Sequence, residues 1–380
     1  MKTIFSKLIF FVSFVLPLAG CTDNMGETDS RLSDSKGLIE PVDGKAIVLE
    51  TSTTASTYFE WEYADVEESG TALYQIAFDK MEGDFSNPVY KMYSDNNGYK
   101  NCATITHKVL NDIAAKAGIK SAETGTIKWT VFSSKGMNTV KSSVENSLTI
   151  TRLAGFDVMP IDLFVTGEGS EGGTDLSKAH KMKAIANGEF EVYTKLAAGK
   201  AFQFVDATSG TPKEYSTADG LIKEGGTGVV STDGVYKINL DFNTGACTYS
   251  LVTSLGFYFC PTDEILFEMP YVGYGVFQAK GTVTFKEESW GLDQRYKFRM
   301  NMKDNAGAGE EKTYEWGTVD ASIDSAPTTS SPESYYYVQL LSNLTQWDNK
   351  WKLMDQFNGI EATYTLYLTA DGEYTHTVTK

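Results

Sequence analysis

Short segments rich in threonine, valine, tyrosine and phenylalanine follow one another along almost the whole chain, separated by glycine or asparagine. Residues 58–63 and 73–78 alternate apolar and polar side chains, which is the pattern of a strand with one buried face. Residues 234–242, the turn 243–245 and residues 246–252 together have the form of a β-hairpin. With aromatic residues at 13% of the chain, this pattern predicts an all-β protein.

One helix is predicted among the strands of the first third of the chain. Five apolar residues between positions 109 and 117 fall on one helical face, and Gly118 follows them as a left-handed C-terminal cap. Trp61 and Trp129 lie within strand patterns, and we predict both as core residues.

The N-terminal residues predict export and a lipid anchor. Two lysines, an apolar run at residues 8–18 and small residues before Cys21 indicate a secretory signal over residues 1–20, and the run is too short to span a membrane. Residues 18–21, Leu-Ala-Gly-Cys, resemble a bacterial lipobox, in which the cysteine is acylated and becomes the new N terminus. We therefore predict lipidation of Cys21, which holds the protein at a membrane. A plain secretory signal cut before Cys21 is the alternative.

The chain is strongly acidic, with a formal net charge of −17, and loss of the signal removes two lysines. An acidic surface disfavours nucleic acid and anionic lipid and suits neutral ligands. Residues 21–36 have no apolar period, and we predict a flexible acidic stalk there.

Cysteine usage does not indicate a disulfide framework. Beside Cys21 the chain has Cys102, Cys247 and Cys260, which is an odd number. A bridge between Cys247 and Cys260 is conceivable, but the sequence favours two buried free thiols.

The first 152 residues resemble a known family, and the residues that carry the resemblance agree in type, order and spacing: Pro41, Asp43-Gly44, 59–61, 74–79, 83–85, 110–118, 129–131, 133–134 and 148–152. With the lipobox, they resemble the N-terminal domain of the SusE and SusF outer-membrane lipoproteins. The resemblance implies an immunoglobulin-like spacer domain over residues 37–152. It further implies a lipoprotein that displays modules for starch or another glycan beside a SusC/SusD-type importer.

Surface display on the extracellular side of the outer membrane is also suggested by resemblance. Asp23, Glu27 and Asp29 resemble the acidic export signal that follows the lipidated cysteine in surface lipoproteins of the Bacteroidetes. Ordinary linker composition and a periplasm-facing anchor are the alternatives.

Residues 153–253 and 254–380 repeat one arrangement of strands. Residues 256–259 correspond to 161–165, residues 275–279 to 188–192, residues 295–300 to 200–205, and the hairpin at 362–378 corresponds to the one at 234–252. An internal duplication of this length predicts two tandem β-sandwiches. By the same resemblance, these are modules of the carbohydrate-binding kind.

The distribution of tryptophan points to the last module as the binding unit. Residues 153–253 contain none, whereas Trp290, Trp316, Trp347 and Trp351 all lie in residues 254–380. Sugars have apolar C–H faces and polar edges, so a module that binds them needs exposed aromatic rings beside hydrogen-bonding groups. Trp290 and Trp347 lie in polar loops and are the leading stacking platforms, with packing under a loop as the alternative. We predict that Trp316 lies beside a site and that Trp351 is packed.

Further candidates surround these tryptophans in the sequence. Tyr271 and Tyr274, in a glycine-rich loop, could complete a stacking surface. The candidate hydroxyl partners are Gln294, Arg295, Asp348 and Asn349, although alternation along the strand would point Arg295 into solvent.

Catalysis is not predicted. Carboxylates are abundant, but the three histidines are far apart without metal-ligand spacing, and no serine or cysteine lies in a nucleophile elbow. No cofactor or metal site is predicted, although a calcium held by Asp241 and Asn243 stays open. The sequence thus predicts a lipid-anchored, non-catalytic protein that binds a polysaccharide or oligosaccharide. The alternative is an adhesin-like or structural surface lipoprotein that binds another protein.

Overall fold

The computed structural model describes residues 32–52, 54–67 and 70–380. The predicted signal and the predicted lipidation at Cys21 lie outside the described residues. The regular structure of the described part consists of 29 strands, one α-helix and five short 3-10 helices, so the prediction of an all-β protein is confirmed. Buried apolar side chains form three clusters along the chain. We name the corresponding parts the first unit (residues 32–152), the second unit (residues 153–253) and the third unit (residues 254–380).

The first unit contains nine strands and the helix α1: Leu38–Glu40 (β1), Lys45–Val48 (β2), Ser56–Trp61 (β3), Leu73–Lys80 (β4), Tyr90–Tyr93 (β5), Cys102–Thr106 (β6), His107–Lys116 (α1), Thr124–Lys135 (β7), Asn138–Lys141 (β8) and Asn146–Thr151 (β9). One sheet has the order β1-β3-β6 and the other β2-β9-β7-β4-β5, with β8 beside β7. Strands β2 and β9 run parallel. Trp61 and Trp129 are fully buried in the core of this sandwich, as predicted.

The helix forms where the sequence predicts it. The Thr106 side chain caps its N terminus by accepting a hydrogen bond from the Val109 backbone N–H, and Gly118, just after the helix, has a φ of +97°. Leu110 and Ile113 are buried against the sandwich, so one apolar face is sufficient to attach the helix.

The last part of the predicted stalk is packed against the first unit instead of being flexible. Leu32 forms a β-bridge with Val66, and the Ser35 hydroxyl donates to the Glu62 carbonyl at 2.6 Å. Ser35 is fully buried. Short polar side chains can dock on a sheet edge by bonding its backbone, which composition alone does not reveal. The stalk prediction is therefore wrong for residues 32–36.

The second unit begins with eight strands and ends in a ninth, β18, that it shares with the third unit: Phe164–Thr166 (β10), His180–Lys181 (β11), Lys183–Ala186 (β12), Glu189–Leu196 (β13), Gln203–Val205 (β14), Glu214–Ala218 (β15), Leu221–Glu224 (β16), Gly234–Asp241 (β17) and Ala246–Phe259 (β18). One layer has the order β11-β10-β14-β15-β16 and the other β12-β13-β17-β18. The layers join where Leu221 of β16 pairs with Ala246 of β18.

The third unit adds eleven strands: Glu264–Glu268 (β19), Tyr271–Gly273 (β20), Val276–Thr282 (β21), Lys286–Glu288 (β22), Gly291–Asp293 (β23), Arg295–Lys303 (β24), Glu311–Thr318 (β25), Val338–Leu340 (β26), Trp351–Lys352 (β27), Glu361–Tyr367 (β28) and Thr375–Thr379 (β29). One layer is β19-β18-β24-β25-β26, with β27 also paired to β24, and the other is β20-β21-β28-β29. Strands β22 and β23 form a separate hairpin.

The order of pairing repeats between the second and third units. The β11-β10-β14-β15 series corresponds to β19-β18-β24-β25, and β12-β13-β17-β18 corresponds to β20-β21-β28-β29. The expected boundary at residues 253 and 254 falls inside β18, whose first half pairs with β17 and whose second half pairs with β24. One continuous strand thus serves both sandwiches, and no flexible linker separates them.

Candidate functional site

The site is built on the outer face of β24 in the third unit. Tyr296, Phe298 and Met300 point into the core, and strand alternation places Arg295, Lys297 and Arg299 on the opposite face. A sheet face with three successive cations needs aromatic or anionic partners, and it has both.

Trp290 lies at the tip of the β22-β23 hairpin. Glu288 pairs with Gly291, so Ser289 and Trp290 form a two-residue turn, and Gly291 has a φ of +137°, which only glycine adopts easily. A turn holds a side chain away from the core, and the Trp290 side chain is 62% exposed. The prediction that Trp290 lies in an open loop is confirmed.

Trp347 lies in the loop of residues 341–350, which joins β26 to β27 and crosses the outer face of β24. Its side chain is 42% exposed. The Gln346 side chain donates to the Cys260 carbonyl at 2.8 Å, so the loop is tied to the start of the neighbouring turn. A large apolar ring is seldom left exposed to water on a loop that is held in place.

Arg295 brings the two indoles together. Its guanidinium carbon lies 4.2 Å from the ring centre of Trp347 and 5.9 Å from that of Trp290. Both distances are within the range of cation–π attraction. We name Trp290, Arg295 and Trp347 the indole–guanidinium surface. Alternation does point Arg295 away from the core, but the side chain is only 22% exposed because it contacts the two rings and Asp293.

Asp293 fixes the orientation of Arg295. The arginine Nε lies 2.9 and 3.1 Å from the two carboxylate oxygens, and Nη2 also donates to the same carboxylate. Asp293 is 1% exposed, so this pairing is protected from water. The hydrogen bonds to Asp293 raise the pKa of Arg295 above its ordinary value. The guanidinium is therefore permanently charged and held between the rings.

A buried ion pair lies beneath the Trp347 loop. Lys297 and Glu315 are both 0% exposed, and their Nζ and Oε2 atoms are 2.5 Å apart. The Thr345 backbone N–H donates to Glu315 at 3.0 Å, and the Lys297 Nζ donates to the Thr345 carbonyl. Arg299 donates to the other oxygen of Glu315 at 2.9 Å. Thr345 thus bonds the loop to both charged side chains, and Leu341 and Asn349 bond its two ends to the backbone of β25.

The candidate hydroxyl partners differ in what they can offer a ligand. Asp348 is exposed next to Trp347, and its carboxylate faces solvent. The Asn349 side chain donates to the Thr318 carbonyl at 2.8 Å, and Asn349 has a φ of +51°, so it has a structural role in ending the loop. Gln294 is half exposed beside Arg295, and its backbone carbonyl accepts from Leu353 at 3.2 Å.

The prediction that Trp316 lies beside the site is wrong. Trp316 is 2% exposed and packs between Tyr193 and Tyr374, at ring distances of 6.1 and 5.8 Å. It lies opposite Phe298 on the core face of its strand, which no ligand can reach. Trp351 is fully buried, as predicted.

Tyr271 and Tyr274 belong to the junction between the second and third units, so their assignment to the stacking surface is also wrong. The Tyr271 hydroxyl donates to Glu171 of the second unit at 2.6 Å, and the Tyr274 backbone N–H donates to the same carboxylate at 2.8 Å. The two tyrosines lie in or just after β20, in the layer that does not contain β24. Tyr274 is exposed, but its ring packs on His180 of the second unit at 5.1 Å.

Glu171 is the centre of this junction. Burial disfavours its ionised form, but hydrogen bonds from His180, Tyr271 and the Tyr274 backbone outweigh burial and lower the pKa of Glu171 to about 2. Thr194 donates to the same carboxylate at 2.8 Å. An ionised carboxylate thus holds the two sandwiches together.

Sequence reasoning missed Asp293, Lys297, Glu315 and Thr345. One signal was present, because alternation along residues 295–300 already places three cations on one face of a strand. The partners of those cations could not be predicted from the sequence, because Glu315 and Thr345 are distant from them along the chain.

Other features of the described residues include free thiols and a large cleft. Cys102, Cys247 and Cys260 are free, and burial raises the pKa of Cys247 to about 11 and that of Cys260 to about 12, so the prediction of two buried thiols is confirmed. The described chain has no group of three or more histidine, cysteine or carboxylate side chains suited to a metal. No helix in the ranges described has the length and apolar character to cross a membrane. A cleft of about 530 Å³ between the second and third units contains none of the indole–guanidinium surface.

Comparison with known proteins gives a match in the first third of the chain. Residues 26–132 match the family model described as SusE outer membrane protein. No curated protein matches. Among solved structures, SusF from Bacteroides thetaiotaomicron is 14% identical, with 92% of this chain and 76% of that chain covered and a TM-score of 0.26, too low to carry a structural argument. The chain is therefore SusE-like in its N-terminal unit, as the sequence predicts.

Proposed function

We propose that the protein is a non-catalytic glycan-binding lipoprotein of the outer membrane and that the indole–guanidinium surface is its binding site. The observation that carries the proposal is the pair of exposed indoles, Trp290 and Trp347, both within cation–π distance of one oriented guanidinium. The match of residues 26–132 to a family of outer-membrane proteins supports the location.

The geometry of this surface suits a sugar chain. Pyranose rings have apolar faces that stack on indole and hydroxyl edges that need hydrogen-bond partners. Trp290 and Trp347 provide the stacking faces, while Arg295, Gln294 and the exposed carboxylate of Asp348 provide polar groups next to them. The surface is open, so it can contact an internal stretch of a polymer as well as a chain end. The proposed ligand is a polysaccharide or oligosaccharide.

The state of the carboxylate that holds Arg295 supports binding without hydrolysis. Asp293 is buried, and both of its oxygens are bonded to Arg295, so it is unavailable as a general acid or a nucleophile. The proposed role is to hold glycan at the cell surface. We further propose that a lipid on Cys21 anchors the chain on the extracellular side and that it works beside a SusC/SusD-type importer.

Affinity electrophoresis in gels that contain starch or other polysaccharides tests the proposal on the mature chain. We expect at least one neutral polysaccharide to retard the protein. Trp290→Ala and Trp347→Ala should each weaken retention about tenfold, because each removes one stacking face, and the double variant should not be retarded. Tyr99→Ala removes an exposed aromatic ring of the first unit, outside the site, and serves as the matched control. Full retention of the double variant would refute the assignment of the site.

The alternative of a protein-binding lipoprotein is an outcome of the same experiment. A purified chain that no polysaccharide retards, and whose thermal midpoint no oligosaccharide shifts, would favour that alternative.

A further inference from the structure

We infer that the buried Lys297–Glu315 ion pair is a positioning device that holds the Trp347 loop in its ligand-ready conformation. The inference about the loop stands on the structure alone, and its consequence for affinity rests on the proposed glycan binding. Lys297 and Glu315 are positioning residues, since neither is exposed and neither can touch a ligand directly.

The location of the pair is the first observation. Lys297 and Glu315 belong to the outer face of β24 and β25, which strand alternation would leave in contact with water. Both side chains are nevertheless 0% exposed, because the loop of residues 341–350 covers them. The charged pair on the outer face of the sheet is thus buried beneath the loop.

The second observation is that both charged side chains bond the same residue, Thr345. Thr345 gives its backbone N–H to Glu315 at 3.0 Å and receives a hydrogen bond at its carbonyl from Lys297. Its hydroxyl lies 3.3 Å from the Lys297 Nζ and accepts from the Asp348 backbone N–H at 3.1 Å. Trp347 lies between Thr345 and Asp348. The bonds therefore fix the backbone on both sides of the indole.

The energetic cost of burying two charges indicates that the pair serves to position the loop. Removing two charges from water is costly, and well-packed apolar residues often give equal or greater stability than a buried ion pair. An apolar pair could not, however, bond the backbone of Thr345 on both its N–H and its carbonyl. The directional bonds are what the charged pair adds.

The second unit provides a natural contrast. Phe204 faces Tyr215 across β14 and β15 as Phe298 faces Trp316, so Gln203 and Glu214 occupy the positions of Lys297 and Glu315. Gln203 donates to Glu214 at 3.1 Å in an exposed pair. The buried, charged form of this pair occurs in the unit that carries the exposed indoles.

Fixing the loop should raise affinity by reducing the ordering that accompanies binding. Each side chain or loop residue that is already ordered in the free protein lowers the entropic cost of association. Trp347 would meet the ligand in place, with Arg295 already stacked on it at 4.2 Å.

The test replaces both charges together, as Lys297→Met with Glu315→Leu in the mature chain, because a single replacement would leave one buried charge without a partner. Gln203→Met with Glu214→Leu at the equivalent positions of the second unit is the matched control. Hydrogen exchange of residues 341–350, acrylamide quenching of tryptophan fluorescence, thermal unfolding and polysaccharide affinity are measured for each protein.

We expect the Lys297→Met, Glu315→Leu variant to remain folded, with faster amide exchange in residues 341–350 and an affinity about tenfold weaker. The control should match the unaltered protein in both measurements. Unchanged exchange in the loop of a folded variant would overturn the positioning role. If the unaltered protein binds no polysaccharide, the proposed function fails, while the exchange result still decides the positioning role. Should the variant unfold, Thr345→Val decides, because it removes the hydroxyl that contacts the Lys297 Nζ and accepts from the Asp348 backbone N–H. Faster amide exchange in residues 341–350 than in the unaltered protein would support the inference, and unchanged exchange would overturn it.

Discussion

The second and third units have the same order of strand pairing but differ on the outer face of one strand. Their inward positions match: Phe204 and Phe298 are both buried, as are the cross-strand partners Tyr215 and Trp316. Core residues at equivalent places keep the sandwich, because apolar volume on the inner face is what two packed sheets require.

The outward positions diverge. Three residues before the matched phenylalanines, the second unit has Ala201 where the third has Arg295, and one residue before them it has Gln203 where the third has Lys297. Only the third unit places indoles next to these positions. The inward side chains therefore determine the duplicated fold. The proposed binding depends instead on the outward side chains and the loops that cover them.

Inward and outward tryptophans should differ most in their contribution to stability. Trp316→Ala should lower the free energy of unfolding by about 3–5 kcal/mol, because it leaves a cavity among Tyr193, Tyr374 and their neighbours. Trp347→Ala should change it by less than about 1 kcal/mol, because that ring is exposed. Urea unfolding of both variants measures the difference, and equal losses would contradict the division into core and surface tryptophans.

The next effect concerns the carboxylate that joins the two units. Glu171 has a folded pKa of about 2 against an ordinary value of 4.5, so its ionised form stabilises the fold above pH 4.5, and this contribution is lost as pH falls towards 2. Glu171→Gln should cost about 2–3 kcal/mol at neutral pH and flatten the decline in stability between pH 4.5 and 2. Thermal unfolding measured across that range checks it, with Glu168→Gln, an exposed neighbour, as the control. An unaltered acid decline in the Glu171 variant would mean that other groups govern it.

A smaller effect tests the guanidinium between the indoles. Arg295→Lys keeps the charge but loses the planar group that stacks on Trp347 and bonds Asp293 through two nitrogens. We expect polysaccharide affinity to fall about three- to tenfold, and the free energy of unfolding to fall by about 1–2 kcal/mol because the buried Asp293 loses part of its pairing. Lys303→Arg, farther along β24 and on the same face by alternation, is the control and should bind normally. Equal affinities of the Arg295 variant and the unaltered protein would remove Arg295 from the site.

The smallest effect is expected in the second unit. Ala201→Arg puts the arginine of the third unit at the equivalent position, and stability should change by no more than about 0.5 kcal/mol because the site is at the surface. Polysaccharide binding of a Trp290→Ala, Trp347→Ala background should not be restored, since the second unit has no tryptophan to stack on. Restored retention in affinity gels would show that the cation alone defines the site.

Much of the fold was predictable from local sequence. Alternation predicted the strands, the apolar face and Gly118 predicted the helix, and the strand spacing predicted the duplication. The register was not predictable. The sequence matched residues 200–205 with 295–300 as strands, but only the pairing of Phe204 with Tyr215 identifies Ala201 as the counterpart of Arg295. A shift by one residue exchanges the two faces of a strand, so side-chain roles depend on pairing with distant segments.

The candidate site was predictable only in part. Trp290 and Trp347 were identified because a polar loop around an indole implies exposure, whereas Trp316 has polar neighbours in sequence and lies in the core. Tyr271 and Tyr274 were misassigned because their partner, Glu171, lies about one hundred residues earlier in the chain. Neighbours in sequence do not reveal neighbours in space.

Local sequence was enough for whatever depends on near neighbours: strands from alternation, turns from glycine and asparagine, the predicted export signal, and the restriction of exposed indoles to the last unit. Three features required the folded structure: the contact of Arg295 with Trp290 and Trp347, the buried Lys297–Glu315 pair beneath the Trp347 loop, and the single strand that joins two sandwiches. Long-range pairing and burial set these features, and both depend on segments that meet only after the chain has folded.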